Sequence, residues 1–421
     1  MKKTLWLFIF VSLCFGATAQ YRPRPDAFPP VDEPAPKALN MATTVEQMAS
    51  WNRYPTYETY LAMMQRWTEE FPTLCHVDTI GRSVQGRLIL SMYIEPQTDD
   101  DLYRPEFFYS STIHGDELTG YVMMLRLIDT LLRGYGDNPQ YTDLINRTRI
   151  SINPLANPDG TYYGGNNTVQ GSRRYNYNNK DLNRNFPDPF YPTKDTVEQE
   201  NEVMIAYVRA HQFKLSANLH GGAEVINYPW DSFTSAANPH PDADWWKAVG
   251  RRFVDTTRLY STNHFNDVWE ANNGVVAGGD WYVITGGRQD YMNQEMHCHE
   301  LTMEVSHQKK LSSDQLPEYW RFMQHSLVNY IAEIHTMPGG SGVGDVQSSV
   351  EGLKAWPNPV VDRITLDGLP EGAAVEVCDM QGRRRLSLVA HQPSMRLDLS
   401  ELPSGMYVVG ADGRKKIIVK L

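Results

Sequence analysis

The segment Tyr109-Ser-Ser-Thr-Ile-His-Gly-Asp-Glu117 decides how the chain is read. Its apolar-edged run, Glu106 to Ile113, predicts a strand that stops at His114, which places the imidazole at the strand tip. The turn that follows can bring the Glu117 carboxylate to the same point, and the apolar segment Leu118 to Leu132 predicts a helix backing it. A catalytic zinc takes neutral histidine nitrogen and carboxylate oxygen, uses three protein ligands and keeps one position open for water. His114 and Glu117 would supply two of the three.

The third candidate is His220, in Ser216-Ala-Asn-Leu-His-Gly-Gly222. It ends another apolar strand, Phe213 to Leu219, and the glycines after it let a substrate approach closely. Outward from these two strands, segments alternate. Thr56 to Phe71 predicts a helix with Tyr60, Leu61, Met64 and Trp67 on one face. Cys75 to Ile80 and Arg87 to Ile94 predict paired strands around the glycine-bracketed turn Gly81 to Gly86; Thr148 to Pro154 predicts a strand and Thr196 to His211 a helix. This alternation predicts an α/β domain with a mixed, mainly parallel sheet and helices on both faces. Ligands bind beyond the carboxyl ends of strands in such sheets, so His114 and His220 can share a rim.

The loop Gly171-Ser-Arg-Arg-Tyr-Asn-Tyr-Asn-Asn-Lys-Asp-Leu-Asn-Arg-Asn-Phe-Pro187 combines Arg173, Arg174 and Arg184 with many asparagines. An arginine fork beside asparagine amides suits bidentate recognition of a carboxylate. Asp181 can accept a hydrogen bond from a ligating histidine and orient it. Glu300 and Glu304 are both candidate general bases, four apart in one short strand, and the residues alone leave the choice open. His297, His299 and His307 read as surface or supporting residues, and no G-x-S-x-G nucleophile elbow occurs.

The remaining sequence sets bounds. At 421 residues the chain predicts two domains plus processed ends. A formal net charge of −11 argues against a nucleic-acid partner and suits cationic substrates. Residues 1–19 read as an export signal, with Lys2 and Lys3, the apolar stretch Leu5 to Phe15 and the cleavage site Ala17-Thr18-Ala19. No other segment approaches the ~20 apolar residues of a transmembrane helix. Residues 20–43 form a proline-rich leader or pro-segment, 44–337 the catalytic domain, 338–349 a Gly/Ser linker, and 350–421 a small all-β sandwich with short runs such as Ala374 to Cys378, Leu386 to Val389 and Met406 to Val409. Once Cys14 leaves with the signal, Cys75, Cys298 and Cys378 remain. That is no disulfide framework, although a Cys75–Cys298 bridge is open.

His114-Gly-Asp-Glu117, Asn157-Pro-Asp-Gly160, Asp181-Leu-Asn-Arg-Asn-Phe-Pro-Asp188, Asn218-Leu-His-Gly-Gly222, Asn227-Tyr-Pro229 and Gly286-Gly-Arg-Gln-Asp290, followed by Leu301-Thr-Met-Glu304, resemble a zinc metallocarboxypeptidase of the regulatory N/E-type branch, over roughly Thr44 to His335. The resemblance implies an eight-stranded-type, carboxypeptidase-like sheet and one zinc held by His114, Glu117 and His220, with Asp181 behind His114. It implies that Asn183 and Arg184 clamp the substrate's terminal carboxylate, that Arg174 polarises the scissile carbonyl, and that Tyr282 caps the bound residue. By spacing from Asp290 it selects Glu304 as the base. Asp231 and Gln289 occupy the positions that look into the side-chain pocket in the branch acting on basic residues, which implies removal of C-terminal Lys or Arg from peptides and proteins.

The tail departs from the regulatory branch. Ala355-Trp-Pro-Asn-Pro359, Val377-Cys-Asp-Met-Gln-Gly-Arg383, Leu397-Asp-Leu-Ser-Glu-Leu402 and Ser404-Gly-Met-Tyr407 resemble the C-terminal sorting domain of type IX secretion in Bacteroidetes. That implies engagement of outer-membrane secretion machinery and a secreted or surface-attached product, exported through the periplasm. A plain β-sandwich accessory domain is the alternative for the tail. For the enzyme, the alternatives are a metal-dependent amidase acting on cell-wall peptides or acyl-amino acids, and a non-catalytic surface binding protein on the same fold.

Overall fold

The computed structural model describes residues 38–97, 103–193, 195–265, 274–338 and, with short gaps, 354–420. The export signal, the leader up to residue 37 and the linker from residue 339 lie outside the described residues. The chain divides into two compact units, with the break after Gly340.

The first unit begins with β1 (Met41–Ala42), paired in parallel with β2 (Tyr54–Pro55). Helix α1 (Tyr57–Glu70) follows, where Thr56 caps the start by accepting from the Thr59 N–H at 3.1 Å. Tyr60, Met64 and Trp67 are buried as the spacing predicts, Met63 joins them, and Leu61 is only partly covered. Strands β3 (Cys75–Arg82) and β4 (Leu88–Ile94) pair antiparallel. Then come β5 (Glu106–Ser111), α2 (Thr119–Gly134), α3 (Pro139–Arg147), β6 (Arg149–Asn153), the single turn α4 (Pro158–Thr161), α5 (Gln199–Ala210), β7 (Phe213–His220) and β8 (Ala223–Tyr228). The unit closes with α6 (Ala243–Tyr260), β9 (Val275–Ala277), α7 (Gly278–Trp281), α8 (Arg288–Gln294), β10 (His299–Ser306) and α9 (Leu316–Ala332).

These strands form one mixed eight-stranded sheet in the order β3-β4-β6-β5-β7-β10-β8-β9. Parallel pairing joins β6, β5, β7 and β10, and again β8 and β9. Alternation along β5 shows how the faces divide. Phe107 and Tyr109 enter the large core shared with α1, α2, α6 and α9, while Phe108 enters the smaller core with α5 and α8. Each such buried side chain contributes ~1.5–3 kcal/mol.

The face toward α5 and α8 becomes polar toward the strand ends. In register across β5, β7 and β10 stand Phe108, Ser216 and Glu300, then Ser110, Asn218 and Thr302, and then His220 beside Glu304. This gradient is what opens a reactive rim at the carboxyl ends of the strands.

Two expectations change. Strand β5 ends at Ser111, because Thr112 takes a left-handed backbone with φ 58° and its hydroxyl donates to the Pro154 carbonyl at 3.1 Å. His114 therefore stands on the loop beyond the strand, whereas His220 is the last residue of β7. Cys75 and Cys298 are both free and buried, in cores on opposite faces of the sheet, so no bridge joins them.

The second unit contains β11 (Lys354–Trp356), β12 (Arg363–Asp367), β13 (Ala374–Asp379), β14 (Arg384–Val389), β15 (Ser394–Asp398), β16 (Gly405–Ala411) and β17 (Arg414–Lys420). They make a three-stranded sheet, β11-β12-β15, and a four-stranded sheet, β14-β13-β16-β17. Ile364, Leu366 and Leu397 of the first share a core with Val375, Val377, Val409 and Ile418 of the second, which is a β-sandwich.

Candidate active site

Local chemistry explains why the loop after β5 holds its shape. The Asn157 amide donates to the carbonyls of Ile113 (3.2 Å) and Arg174 (3.4 Å), and the Gly115 N–H also reaches the Arg174 carbonyl (3.2 Å). Gly115 passes so close to Gly160 that an added Cβ would overlap the Gly160 carbonyl carbon. Three quoted motifs thus form one support around His114.

His114, Glu117 and His220 converge there, each about 3% exposed, with one ligating atom of each within 4.8 Å of the others. His114 Nδ1 is 3.0 Å from Glu117 Oε1 and 3.0 Å from His220 Nδ1, and His220 Nδ1 is 2.8 Å from Glu117 Oε2. Burial draws His220 down to about 4, so its imidazole is neutral near neutral pH. Burial alone would raise Glu117, but the two histidines outweigh it and hold this carboxyl well below the usual range. Two imidazoles and a carboxylate facing one point are a donor set that fits zinc.

The groups around this point are as closely held. His114 Nε2 is 3.1 Å from Asp181 Oδ1, and Asp181 Oδ2 accepts from Arg174 Nε at 2.9 Å. Although burial would raise Asp181, His114, Arg174 and Arg184 depress it far below an ordinary carboxyl. Arg174 Nη1 also lies 3.6 Å from Glu117 Oε1. Glu304, paired in register with His220, lines the same cleft; burial, then the nearby Glu117, push its carboxyl well up, and its Oε2 has no hydrogen-bond partner among the described residues. Glu300 lies four residues earlier on β10, two face repeats deeper, where Arg288 (3.0 Å) and Ser216 (2.7 Å) hold it away from the cleft.

The same cleft is lined by Asn183, Asn227, Asp231, Tyr282, Ile284 and Thr302. Asn183 Oδ1 accepts from the Arg288 N–H at 2.9 Å, which leaves its NH2 for a ligand. Arg184 is partly exposed, donates to the Asn183 carbonyl at 2.8 Å and lies within electrostatic reach of Asp231 and Tyr282. Gln289 donates to Asp231 Oδ1 at 2.9 Å and to Asn227 Oδ1 at 3.1 Å. Burial, with Asp290 beside it, pushes Asp231 well above the usual range. Tyr282 is 38% exposed at the mouth.

Thr302, Asn227 and Ile284 also line the cleft, and sequence reading gave them no role. The period of two along β10 was a usable signal for Thr302, since it shares a face with Glu304. Lys309, with Nζ 3.6 Å from Glu117 Oε1 and 3.7 Å from Asp116 Oδ2, had no such signal, because it lies beyond the strand. His299 and His307 are supporting residues, bonded to Asp242 (2.9 Å) and Glu224 (3.3 Å), and His297 is exposed.

Residues 60–326 match the zinc carboxypeptidase family, and residues 354–421 match the secretion system C-terminal sorting domain. The chain belongs to the zinc carboxypeptidase family. It is 32% identical to carboxypeptidase D of Rattus norvegicus over 295 residues, which are 68% of this chain and 21% of that protein. It is 33% identical to carboxypeptidase M of Mus musculus over 299 residues, 67% of this chain and 66% of that one. The chain thus spans about a fifth of the carboxypeptidase D relatives and about two thirds of carboxypeptidase M. The crystal structure of carboxypeptidase A from Helicoverpa armigera has the same fold, with a TM-score of 0.56 at 21% identity over 69% of this chain and 77% of that chain. Among the described residues, no helix is long and apolar enough to cross a membrane.

Proposed function

We propose that this chain is a zinc-dependent exopeptidase that removes a C-terminal Lys or Arg from peptides and proteins, and that its tail engages outer-membrane secretion machinery to place it outside the cell. The observation that carries the reading is one cleft lined by His114, Glu117 and His220 together with Glu304, Arg174, Asn183 and Asp231.

His114, Glu117 and His220 would hold zinc, which when bound would polarise the scissile carbonyl and acidify a water molecule. Glu304 takes the proton from that water at its unpartnered Oε2 and returns it to the departing amine. A carboxyl pushed upward by burial and by Glu117 is suited to holding the proton between those steps. Arg174, anchored by Asp181, presents its guanidinium to the oxygen on which negative charge develops. The Asn183 NH2 and Arg184 bind the free α-carboxylate, so only the last peptide bond reaches the reactive point. Asp231, carried by Gln289, receives the cationic side chain, and Tyr282 closes over it and excludes water.

Hydrolysis of blocked dipeptides ending in Arg, Lys, Phe and Glu tests the reading, with Glu304→Gln as the control. Release of Arg and Lys alone is expected, and the control should lose ~10²–10⁴-fold in kcat with its zinc content unchanged. Preference for Phe would remove the Asp231 assignment. Cleavage of C-terminally amidated substrates at equal rates would remove the carboxylate clamp and favour the amidase alternative.

A further inference from the structure

Asn218 sits in the middle of a row of five polar residues crossing five strands at one height: Asn153 on β6, Ser110 on β5, Asn218 on β7, Thr302 on β10 and Asn227 on β8. All five are buried. Directly opposed residues in a sheet share a face, so the row is a polar floor directly beneath His220 and Glu304. Most of its members are engaged sideways or downward. Ser110 donates to Asn153 at 3.1 Å, Asn153 donates to the Leu90 carbonyl at 2.7 Å, and Asn227 receives Gln289 at 3.1 Å.

Asn218 instead points upward. Two residues before His220, and so on the same face of β7, it places Nδ2 2.9 Å from His220 Nε2. Its other amide atom, Oδ1, is buried and has no hydrogen-bond partner among the described residues. His220 Nδ1, on the other edge of the ring, faces Glu117 Oε2 at 2.8 Å and His114 Nδ1 at 3.0 Å. A ring whose Nδ1 is committed to a metal must carry its proton on Nε2, and that proton needs an acceptor. The unpartnered Oδ1 is that acceptor once the side-chain amide turns over by half a turn, a motion that exchanges O and N without moving the backbone.

We infer that Asn218 is a positioning residue for the metal centre: its side-chain carbonyl, turned to His220, accepts from Nε2–H and holds the ring with Nδ1 toward Glu117 and His114. The inference rests on the zinc reading of His114, Glu117 and His220. Asp181 plays the corresponding part for His114 but can only accept, so it favours the metal-binding tautomer at all times.

Zinc affinity of the full chain, measured by competition with a chromophoric chelator, separates the possibilities. Asn218→Leu keeps the shape but removes the acceptor, and zinc affinity is expected to fall ~10–100-fold, the usual effect of deleting an outer partner of a ligating histidine. Asn218→Asp restores an acceptor and should bind zinc within a few-fold of the wild type. In protein carrying ¹⁵N-labelled histidine, the His220 signals of the zinc-loaded wild type and of zinc-loaded Asn218→Asp should both report the Nε2–H tautomer. Wild-type affinity in a folded Asn218→Leu, or equal weakening in both variants, would overturn the inference while leaving the zinc site standing. If the wild type itself failed to bind zinc, or if His114→Ala bound it as tightly, the reading beneath the inference would fall as well.

Discussion

The proposed preference for basic residues rests on Asp231. Burial and the neighbouring Asp290 raise its carboxyl, and Arg184 opposes them only in part. An arriving ammonium or guanidinium would favour the ionised form, so the charge-assisted bond appears only with a cationic side chain in place. Such bonds contribute ~1.5–3 kcal/mol. Asp231→Asn should therefore lower kcat/KM for substrates ending in Lys or Arg by about one to two orders of magnitude, while those ending in a neutral residue change little. Steady-state kinetics on the paired substrates checks it, and an equal loss on both would mean that Asp231 only supports the loop. Glu300, the other candidate base, belongs to a buried ion pair with Arg288. Removing one partner of such a pair costs ~3–5 kcal/mol, so Glu300→Gln is expected to unfold at distinctly lower urea concentration, with the folded fraction retaining catalysis.

At the scale of elements, the short helix α7 depends on the absence of a side chain. A Cβ on Gly278 would lie within van der Waals overlap of Asp231 Oδ1 and 2.7 Å from Asn227 Oδ1. Gly278→Ala must push both residues aside, and overpacking of this kind costs ~1–3 kcal/mol. Its expected signature is loss of the proposed Lys/Arg preference with zinc binding intact. Long, strongly periodic elements such as α1, α2, β7 and the paired β3 and β4 were legible in the sequence within one to three residues, because their apolar spacing is local information. The turn at Thr112 was not legible: its left-handed backbone is held by a hydroxyl bond to Pro154, forty-two residues away in sequence. Thr302 and Asn218 were legible in principle, since each lies two residues before a residue already singled out on its strand. Lys309 was not, because only the packing of the β10–α9 connection against the start of α2 brings it to Glu117.

Across the whole molecule, stability against acid has an identifiable anchor away from the cleft. Glu224 on β8 is fully buried and accepts from His264 Nδ1 (2.8 Å), the Phe265 N–H (3.0 Å) and the Tyr319 hydroxyl (3.2 Å), with His307 Nε2 at 3.3 Å. Burial would raise its carboxyl, but the two histidines outweigh that and hold it at about 2, below the ordinary value of 4.5. A depressed carboxyl contributes stability that is fully present above the unfolded value and is lost as pH falls toward the folded one. Glu224→Gln should thus cost roughly 3 kcal/mol at pH 7, and the gap to wild type should narrow between pH 4.5 and 2. Urea unfolding at several pH values measures this, and a gap independent of pH would assign the loss to packing alone.

The sequence by itself determined the class of sheet and the zinc carboxypeptidase family, because residue type, motif order and strand periodicity are properties of the chain taken locally. It also separated the β tail from the enzyme by composition. Residue chemistry alone left Glu300 and Glu304 level, and only the tertiary structure shows how they differ: both share a face of β10, but Arg288 pairs with Glu300 while Glu304 stands beside His220 in the cleft. It alone decided that Cys75 and Cys298 stay apart, since which side of a sheet a helix covers is set by the path of the chain through space. The same holds for the polar floor under the metal ligands, which exists only because five strands from distant parts of the chain come into register at one height.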